Sequence, residues 1–280
     1  MERAVVTLPG PVDLGLTLGV LVRGHWDPTV AFNDGFWRAT RTPDGPATLH
    51  VRARGDRVEA RAWGEGAEHA LNGVPDLVGA CDDPAAFVPK HPQLRDPFRR
   101  MAGMRLCRTG AVMEALVPSI IEQKVTGPEA FRAYAALVRR YGATAPGPMD
   151  LMIPPAPETL AELPYWAYHP LGIERRRADT IRRACARASR MEEAASMPLA
   201  DAYRRLQAIQ GVGVWTAAEV ARNALGDPDA VSVGDYHLKN NVAWVLAGEP
   251  RATDERMLEL LEPYRGQRAR AVRLIEALPG

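Results

Sequence analysis

The sequence has little cysteine. Only three cysteines, Cys81, Cys107 and Cys185, occur among the 280 residues, and none belongs to a C-x-x-C pair. Zinc sites and iron–sulfur clusters require closely spaced thiolate ligands. We therefore expect neither kind of site, and we interpret all three residues as buried, reduced thiols.

Long apolar runs and an excess of charge are missing as well. No segment reaches the roughly 20 apolar residues that span a bilayer, and the N-terminus lacks a basic stretch followed by an apolar one. We expect a cytoplasmic, nucleoid-associated protein without a membrane partner. Thirty-five Lys+Arg against 34 Asp+Glu leave a formal charge of +1, so any nucleic-acid surface must come from local clustering. The 46% hydrophobic and 25% charged residues are typical of a soluble globular protein.

The first part of the chain carries the period-2 patterns of strands. Apolar residues alternate from Val12 to Val22, which predicts a half-buried strand. A second alternation, 49–53 and 58–62, is interrupted by Gly55-Asp56 and predicts a hairpin, while Asn33-Asp34-Gly35 predicts another turn. Residues 1 to about 65 are therefore expected to form a small antiparallel sheet.

After Trp63 the apolar spacing changes to that of helices. Helices are predicted within 111–141, where Gly127-Pro128 separates two of them, and a surface loop rich in Pro, Gly and Ala is predicted over 143–157. Further helices are predicted over 159–163, 175–190, 200–209, 214–225, 236–246 and 255–278. The fold class is thus α+β, with a sheet domain and a flanking helix at 1–90 followed by a helical domain at 91–280.

The most informative segment is a helical hairpin at about 206–221. Gly211 and Gly213 flank Val212 in the turn, and a second helix follows at once. Glycines adopt backbone angles closed to other residues and leave room for a close approach. The exposed N–H groups that begin the second helix, at Val214 to Thr216, suit a phosphate oxygen. A G-x-G turn alone is a weak signal.

Asp235 stands where an apolar run ends in Gly234 and a helix begins. An Asp before a helix is most often an N-cap. A carboxylate at this place, downstream of a hairpin, is also a candidate for catalysis. Both interpretations remain open from the residues alone.

Four ordered segments together resemble the helix-hairpin-helix DNA glycosylases, and within them the AlkA-type 3-methyladenine branch. Residues 211–217 resemble that branch's G-x-G-x-W-T-A, and 234–239 its D-D-Y-x-x-K. Residues 120–126 are similar to its I-x-x-Q-x-[VI]-S, and 171–178 to its L-G-[MI]-x-x-[KR]-[KR]-A. The resemblance implies an N-terminal sheet and an all-α glycosylase domain acting in base excision repair.

The same resemblance implies a mechanism. Members that also cleave the DNA backbone carry a nucleophilic lysine early in the second hairpin helix, where this chain has Trp215. Hydrolysis of the glycosidic bond without lyase activity is implied, after the damaged nucleotide is flipped out of the duplex. Asp235 would stabilise the cationic sugar and orient or deprotonate the attacking water.

An alkylated purine is a cation, and aromatic faces attract cations. Trp215 and Tyr236 are therefore candidates for the base pocket, with core packing as the alternative for each. The residues whose context favours core or sheet packing are Trp26, Phe36, Trp37 and Trp244. Glu219 occupies a position where the branch has an aromatic residue, so it either favours a cationic base in the pocket or is structural or solvated.

Residues outside the hairpin complete the expected DNA surface. Lys124 stands where a leucine or glutamine fills the gap left by the flipped nucleotide, and Gln123 contacts the orphaned base or caps a turn. Arg175 and Arg176, with Arg177, follow a tight turn and form a possible second phosphate clamp. The basic clusters from which these come are Arg95, Arg99, Arg100, Arg105 and Arg108, and Arg175, Arg176, Arg177, Arg182, Arg183 and Arg187. Solvated surface is the alternative for both.

The expected partner is double-stranded DNA with a damaged base, bound by a monomer. A structural monovalent cation at the hairpin is the one cofactor that related proteins suggest. A glycosylase for oxidised, deaminated or mismatched bases is the main alternative, because the shared signature fixes the reaction class better than the base. A non-catalytic DNA-binding module and a helical protein with chance spacing are further alternatives, against which Asp235 argues.

Overall fold

The computed structural model describes residues 1–278. Its sheet consists of β1 (Glu2–Thr7), β2 (Val30–Phe32), β3 (Phe36–Thr42), β4 (Gly45–Arg54) and β5 (Arg57–Trp63), with a short helix, α1 (Leu14–Leu18), after β1. The strands are antiparallel in the order β1-β5-β4-β3-β2. The predicted α+β class, with the sheet at the N-terminus, is confirmed.

Both predicted turns lie within this sheet. Strands β4 and β5 pair with Ala53 opposite Val58 and Leu49 opposite Ala62, so the turn falls at Gly55-Asp56. Strands β2 and β3 pair with Phe32 opposite Phe36 across Asn33 to Gly35. Two local signals, alternation and turn residues, agree in both hairpins, which explains why they could be predicted.

The strand predicted over Val12–Val22 is wrong. Helix α1 and a 3-10 turn over Gly19–Leu21 occupy this segment. The side chain of Asp13 accepts a hydrogen bond from the amide of Leu16 at 3.0 Å and so caps the helix. Within α1 and the 3-10 turn, the buried positions are Thr17, Leu18 and Leu21, at helical rather than strand spacing. Leu18 and Leu21 pack against the sheet, and two of the residues between the alternating apolar positions are glycines, Gly15 and Gly19, which are weak evidence for a polar strand face.

Helices make up most of the remaining chain, as predicted. They are α2 (Ala67–Asn72), α3 (Val74–Leu77), α4 (Arg95–Arg100), α5 (Val112–Ile121), α6 (Gly127–Tyr141), α7 (Pro157–Glu162), α8 (Tyr165–Tyr168), α9 (Arg175–Cys185), α10 (Ala188–Glu192), α11 (Leu199–Gln207), α12 (Val214–Val220), α13 (Leu238–Ala247), α14 (Asp254–Leu261) and α15 (Arg268–Glu276). The predicted helix at 255–278 is in fact two helices, separated by a turn in which Gly266 has φ 85°.

The segment 143–157 is only partly the surface loop that was predicted. It contains two short paired strands, β6 (Ala143–Thr144) and β7 (Met152–Ile153). Ala145, Leu151 and Ile153 are buried in a cluster with Trp37 of the sheet. The proline and glycine residues of this segment therefore indicate an irregular backbone, but they do not show that its side chains are exposed to solvent.

Helix α5 runs through the middle of the helical core. Its predicted apolar positions Val112, Leu116, Ile120 and Ile121 are all fully buried. The core around them also contains residues of α6, α9, α11 and α12. The last turn of α5 therefore ends next to the hairpin formed by α11 and α12, which places Gln123 and Lys124 beside that hairpin.

Charged contacts connect the sheet to the helices. Glu114 in α5 accepts hydrogen bonds from Arg38 Nη2 at 2.7 Å, from Thr40 Oγ1 at 2.9 Å and from the Arg41 amide at 2.7 Å. Arg270 of α15 is 1% exposed and forms an ion pair with Asp82. These contacts join residues on both sides of residue 90, the predicted boundary between the two domains. The boundary itself stays a prediction.

Within residues 1–278, no helix is both long and apolar enough to cross a membrane.

Candidate nucleic-acid site

The turn of the hairpin depends on one of its two glycines. Gly211 has φ 101°, and a Cβ at this position would lie 2.2 Å from Oγ1 of Thr180. Gly213 has φ −98° and ψ −172°, which any residue adopts, and a Cβ there would meet no described residue within 4 Å. Only Gly211 therefore uses backbone angles that are closed to other residues, whereas Gly213 leaves room for a close approach. The space above Gly213 is open for another molecule.

The start of α12 faces outward. Val214 is 56% exposed, and within residues 1–278 no side chain caps this helix. The first-turn amides of a helix have no partners inside the helix, and they carry the positive end of its dipole. The backbone at 213–216 can therefore receive a phosphate oxygen, although the side chain of Thr216 is buried.

Gln123 ties the loop after α5 to this turn. Its Nε2 donates to the carbonyl of Gly211 at 2.9 Å and to Oγ1 of Thr216 at 2.8 Å. Gln123 thus binds the turn, which agrees with the interpretation that it caps a turn. The monovalent cation at the hairpin stays a prediction. The main-chain carbonyl of Gly211, which could serve as a ligand for such a cation, already accepts the hydrogen bond from Gln123.

Lys124 is exposed at the tip of the same loop. Its φ of 56° makes it the only non-glycine residue with positive φ within residues 1–278. Such a conformation costs roughly 1–3 kcal/mol and persists where the surroundings impose it, often at functional sites. The loop therefore presents Lys124 next to the hairpin.

Both carboxylate oxygens of Asp235 accept hydrogen bonds. Its Oδ1 accepts hydrogen bonds from the amides of His237 and Leu238, both at 2.9 Å, where α13 begins. Its Oδ2 accepts the indole N–H of Trp215 at 3.1 Å. The N-cap residue of α13 itself is His237, but Oδ1 of Asp235 binds the amides at the start of this helix as a capping side chain does. This contact does not exclude catalysis, because it uses only one of the two carboxylate oxygens.

The aromatic residues singled out in the sequence differ in burial. Trp215 is half-buried, and Tyr236 is 79% exposed, so core packing is wrong for Tyr236. Trp26 and Trp244 are 71% and 58% exposed, against the expected core packing. Phe36 and Trp37 are buried in the sheet, as expected. The exposed rings follow from positions on turns and outer helix faces that composition does not reveal.

Glu219 lies in a buried polar cluster behind Trp215. It is 8% exposed, accepts a hydrogen bond from the hydroxyl of Ser232, and pairs with Arg222 at 2.8 Å. Arg222 also lies 3.9 Å from Glu276 of α15. The negative charge of Glu219 raises the pKa of Arg222. The sequence analysis missed Ser232, Arg222 and Glu276. The spacing of three residues could have indicated the pair of Arg222 with Glu219, whereas Ser232 and Glu276 are brought to this cluster by the tertiary fold.

Glu122 is a second carboxyl group that the sequence analysis missed. Its Oε1 lies 3.5 Å from Nε of Arg23, which comes from the N-terminal part of the chain. Burial raises the pKa of Glu122, Arg23 opposes that rise, and the nearby charge of Glu219 adds to it. Glu122 precedes Gln123 directly, so a half-buried carboxyl group adjoins the loop at the hairpin.

The basic clusters divide into structural and free arginines. Arg105 and Arg177 are buried and donate to main-chain carbonyls, Arg177 to Ile121 at 2.7 Å and Arg105 to Gly79 at 3.3 Å. Neither is available for a phosphate clamp or for solvent. Arg175 and Arg176 are exposed at the start of α9, with Arg175 3.9 Å from Asp179. Of the three arginines predicted to bind a second phosphate, only Arg175 and Arg176 are therefore accessible.

The cysteines are free thiols. Cys107 and Cys185 are buried as expected, whereas Cys81 is exposed, which corrects the expectation for that residue. Burial raises the pKa of Cys185 to about 12. Within residues 1–278, no group of three or more His, Cys, Asp or Glu side chains is placed to hold a metal ion.

Solved structures of similar fold include glycosylases of two specificities. The chain superimposes on a 3-methyladenine DNA-glycosylase from Archaeoglobus fulgidus with a TM-score of 0.80 at 19% identity, covering 99% of this chain and 97% of the other. It superimposes on an 8-oxoguanine glycosylase/lyase from Clostridium acetobutylicum, in complex with double-stranded DNA, with a TM-score of 0.72 at 13% identity, covering 97% and 96%. At these identities the likeness concerns the fold.

Sequence comparison identifies a relative and a family. A Bacillus subtilis (strain 168) protein named "Putative DNA-3-methyladenine glycosylase YfjP" is 27% identical over 174 residues, a match that spans 60% of this chain and 60% of the relative. The family model described as HhH-GPD superfamily base excision DNA repair protein matches residues 117–265, which is more than half of the chain and includes the hairpin and Asp235. The chain therefore belongs to the HhH-GPD superfamily of base excision DNA repair proteins.

Proposed function

We propose that this protein is a monofunctional DNA glycosylase that removes alkylated purines, of the 3-methyladenine and 7-methylguanine type, from duplex DNA. The single observation that carries the proposal is the placement of Asp235. Its Oδ2 lies against the indole of Trp215, at the start of the second hairpin helix, while Oδ1 is held by two amides. A carboxylate and an aromatic ring thus stand together beside a surface that fits DNA phosphates.

The proposed reaction begins with extrusion of the damaged nucleotide from the helix. The bond between the sugar C1′ and the base nitrogen breaks, and its electron pair leaves with the base. Asp235 stabilises the positive charge that develops on the sugar. A water oxygen then bonds to C1′, and Asp235 or solvent accepts its proton. The products are the free base and an abasic site.

The proposed absence of lyase activity rests on Trp215. A lyase needs an amine that forms a Schiff base with the sugar. The sequence has three lysines, Lys90, Lys124 and Lys239, and none is in the second hairpin helix. The Nζ of Lys239 lies 3.9 Å from Asp254 in an ion pair. Water is therefore the proposed nucleophile.

Alkylated purines are favoured over other bases by the cation–aromatic argument and by the name of the Bacillus relative. An alkylated purine carries positive charge before the reaction, so it leaves readily and needs little specific recognition. Trp215 is half-buried and Tyr236 exposed, which leaves both rings accessible to an extruded base.

DNA is proposed to contact the hairpin backbone from Gly211 to Thr216, the loop with Gln123 and Lys124, and the exposed Arg175 and Arg176. Each of these groups lies on or next to the hairpin or begins a helix after a tight turn. We propose that a monomer carries out the reaction, because Asp235, Trp215 and this surface all come from one chain.

A base-release screen tests the proposal. Purified protein is incubated with duplexes that hold alkylated, deaminated or oxidised bases, and the released bases are identified by mass spectrometry. We expect release of methylated purines with intact strands. Release of only oxidised or deaminated bases would overturn the substrate assignment, and release of none would overturn the activity.

A further inference from the structure

We infer that Ser232 and Glu219 are positioning residues for the Asp235 carboxylate, although neither is expected to touch the DNA. This inference rests on the proposed catalytic role of Asp235. In this inference Glu219 holds the loop that carries Asp235, whereas one interpretation of the sequence had Glu219 attract a cationic base in the pocket.

Two side-chain hydrogen bonds connect the loop 231–235 to helix α12. The hydroxyl of Ser232 donates to Oε1 of Glu219, and the indole of Trp215 donates to Oδ2 of Asp235 at 3.1 Å. Trp215 and Glu219 are four residues apart, so they lie on the same face of the helix. We call these two hydrogen bonds the loop clamp.

The loop clamp fixes the orientation of the loop as well as its distance from the helix. A single hydrogen bond would leave the loop free to rotate about it, whereas two separated bonds remove that rotation. The amide of Asp235 also donates to the carbonyl of Ser232 at 3.1 Å, which closes the turn between the two anchored side chains. The position of the Asp235 carboxylate is therefore coupled to that of the Ser232 hydroxyl.

Glu219 is a fixed acceptor. It is 8% exposed and Ser232 is 6% exposed. Arg222 Nη2 donates to the other carboxylate oxygen of Glu219 at 2.8 Å, and Arg222 is held in turn by Glu276 at 3.9 Å. Hydrogen bonds to a charged acceptor are about twice as strong as neutral ones. Because the charge of Arg222 neutralises that of Glu219, the carboxylate of Glu219 is better suited to hold the Ser232 hydroxyl in place than to attract a cationic base.

The test begins with Ser232→Ala, which removes one bond of the loop clamp and leaves the Glu219–Arg222 pair intact. We expect the single-turnover rate of base release, at saturating enzyme, to fall about 10- to 100-fold, since a displacement of 1 Å costs up to about 100-fold. The dissociation constant for the duplex should stay within about twofold, because the DNA-facing groups are unchanged. Ser232→Thr keeps the hydroxyl and should restore the rate to within about threefold.

A matched control separates position from stability. Ser119 is also a buried serine, and its hydroxyl donates to the carbonyl of Ala115 inside α5 at 2.8 Å. Ser119→Ala removes a buried hydroxyl that has no contact with the loop. We expect a comparable loss of thermal stability with an unchanged rate of base release.

Amide hydrogen exchange gives a readout that needs no substrate. The amides of His237 and Leu238 are bound to Oδ1 of Asp235, so they report on its position. We expect Ser232→Ala to accelerate their exchange about tenfold, with no change in Ser119→Ala. If the base-release screen yields no activity, the exchange rates alone decide the inference.

Several results would overturn the inference. They are a wild-type rate in Ser232→Ala, an exchange rate that does not change, or a Thr variant as slow as the Ala variant. Asp235→Asn separates this failure from that of the proposed function. An inactive Asp235→Asn with a fully active Ser232→Ala contradicts only the loop clamp, whereas a fully active Asp235→Asn contradicts the proposed mechanism.

Discussion

The indole nitrogen of Trp215 lies 3.1 Å from Oδ2 of Asp235, so a helix of the hairpin and the loop before α13 meet at the proposed catalytic carboxylate. Asp235→Asn keeps an oxygen for capping but removes the negative charge. We expect base release to slow by about 100-fold or more, because electrostatic stabilisation of the developing charge is lost. Binding of the damaged duplex, measured by fluorescence anisotropy, should stay within a few-fold of wild type.

The matched control for this variant is Asp13→Asn. Asp13 also caps a helix, α1, through its side chain, but it lies outside the hairpin and the loop 231–235. Full activity in Asp13→Asn and loss of activity in Asp235→Asn would separate catalysis from capping. Equal activity of both variants would contradict the role proposed for Asp235.

Reaction in the presence of borohydride tests the absence of lyase chemistry. A Schiff base between an amine and the sugar is reduced to a stable covalent complex, which is visible by gel electrophoresis. We expect no complex, and we expect strands that break only on alkali treatment. A trapped complex would contradict hydrolysis by water, and its loss in Lys124→Ala would identify the exposed loop lysine as the nucleophile.

The two glycines of the hairpin should respond differently to alanine. At Gly211 the φ of 101° and the 2.2 Å approach to Thr180 leave no room for a side chain. Gly211→Ala should destabilise the protein by about 2 kcal/mol or more, measured by denaturant unfolding. Gly213→Ala should cost less than about 1 kcal/mol, because an Ala cap is only modestly worse than Gly.

Gly213→Ala should act on DNA instead. Its methyl group would occupy the open space above the first amides of α12, and we expect duplex affinity to fall about tenfold, or about 1.4 kcal/mol. Losing one phosphate contact would also lower the slope of log affinity against log salt by about 0.9. Unchanged affinity and slope would contradict a phosphate contact at this turn.

Two glutamates on either side of the connection between α5 and α6, Glu122 and Glu129, should give opposite pH effects on stability. Burial raises the pKa of Glu122, so the unfolded chain ionises first, and the stability of the folded state falls as pH rises above the ordinary value of 4.5. Glu122→Gln removes this loss. The melting temperature of the variant relative to wild type should therefore increase between pH 4.5 and pH 7, measured by calorimetry.

Glu129 supplies the opposite case. The hydroxyl and amide of Thr126 donate to its carboxylate in a capping box and lower its pKa. The ionised form stabilises the fold above the ordinary pKa of 4.5, and this contribution is lost as pH falls. Glu129→Gln should therefore lose stability relative to wild type as pH rises. Parallel slopes for the two variants would contradict the pKa shifts.

Features that depend on neighbouring residues in the sequence could be predicted. The two hairpins of the sheet, the buried face of α5 and the helix–turn–helix at Gly211 each combine a periodic pattern with turn residues. Asp235 was singled out because its spacing from that turn resembles the signature of the helix-hairpin-helix glycosylases, and its catalytic role stays a prediction. These patterns involve residues that are close in the sequence, so the structure they favour depends little on the rest of the fold.

Features that depend on the tertiary fold could not be predicted. The segment 12–22 alternates like a strand, but the Asp13 cap and packing against the sheet make it a helix. Arg177 reads like its exposed neighbours Arg175 and Arg176, yet it is buried against the end of α5. One of the two partners of Glu219 is Ser232, 13 residues away across a turn, and nothing in the spacing indicates this contact.

The contacts of Glu114 with the sheet bear on how the protein unfolds. Glu114 accepts hydrogen bonds from Arg38, Thr40 and Arg41 of the sheet. Its helix, α5, is followed by Gln123, which donates a hydrogen bond to the Gly211 carbonyl in the hairpin turn. Removing the first 90 residues would leave this carboxylate without those donors, and would leave Arg270 without Asp82. We therefore expect the sheet and the hairpin to unfold in one cooperative transition. The proposed DNA-binding surface would then be lost when the sheet unfolds.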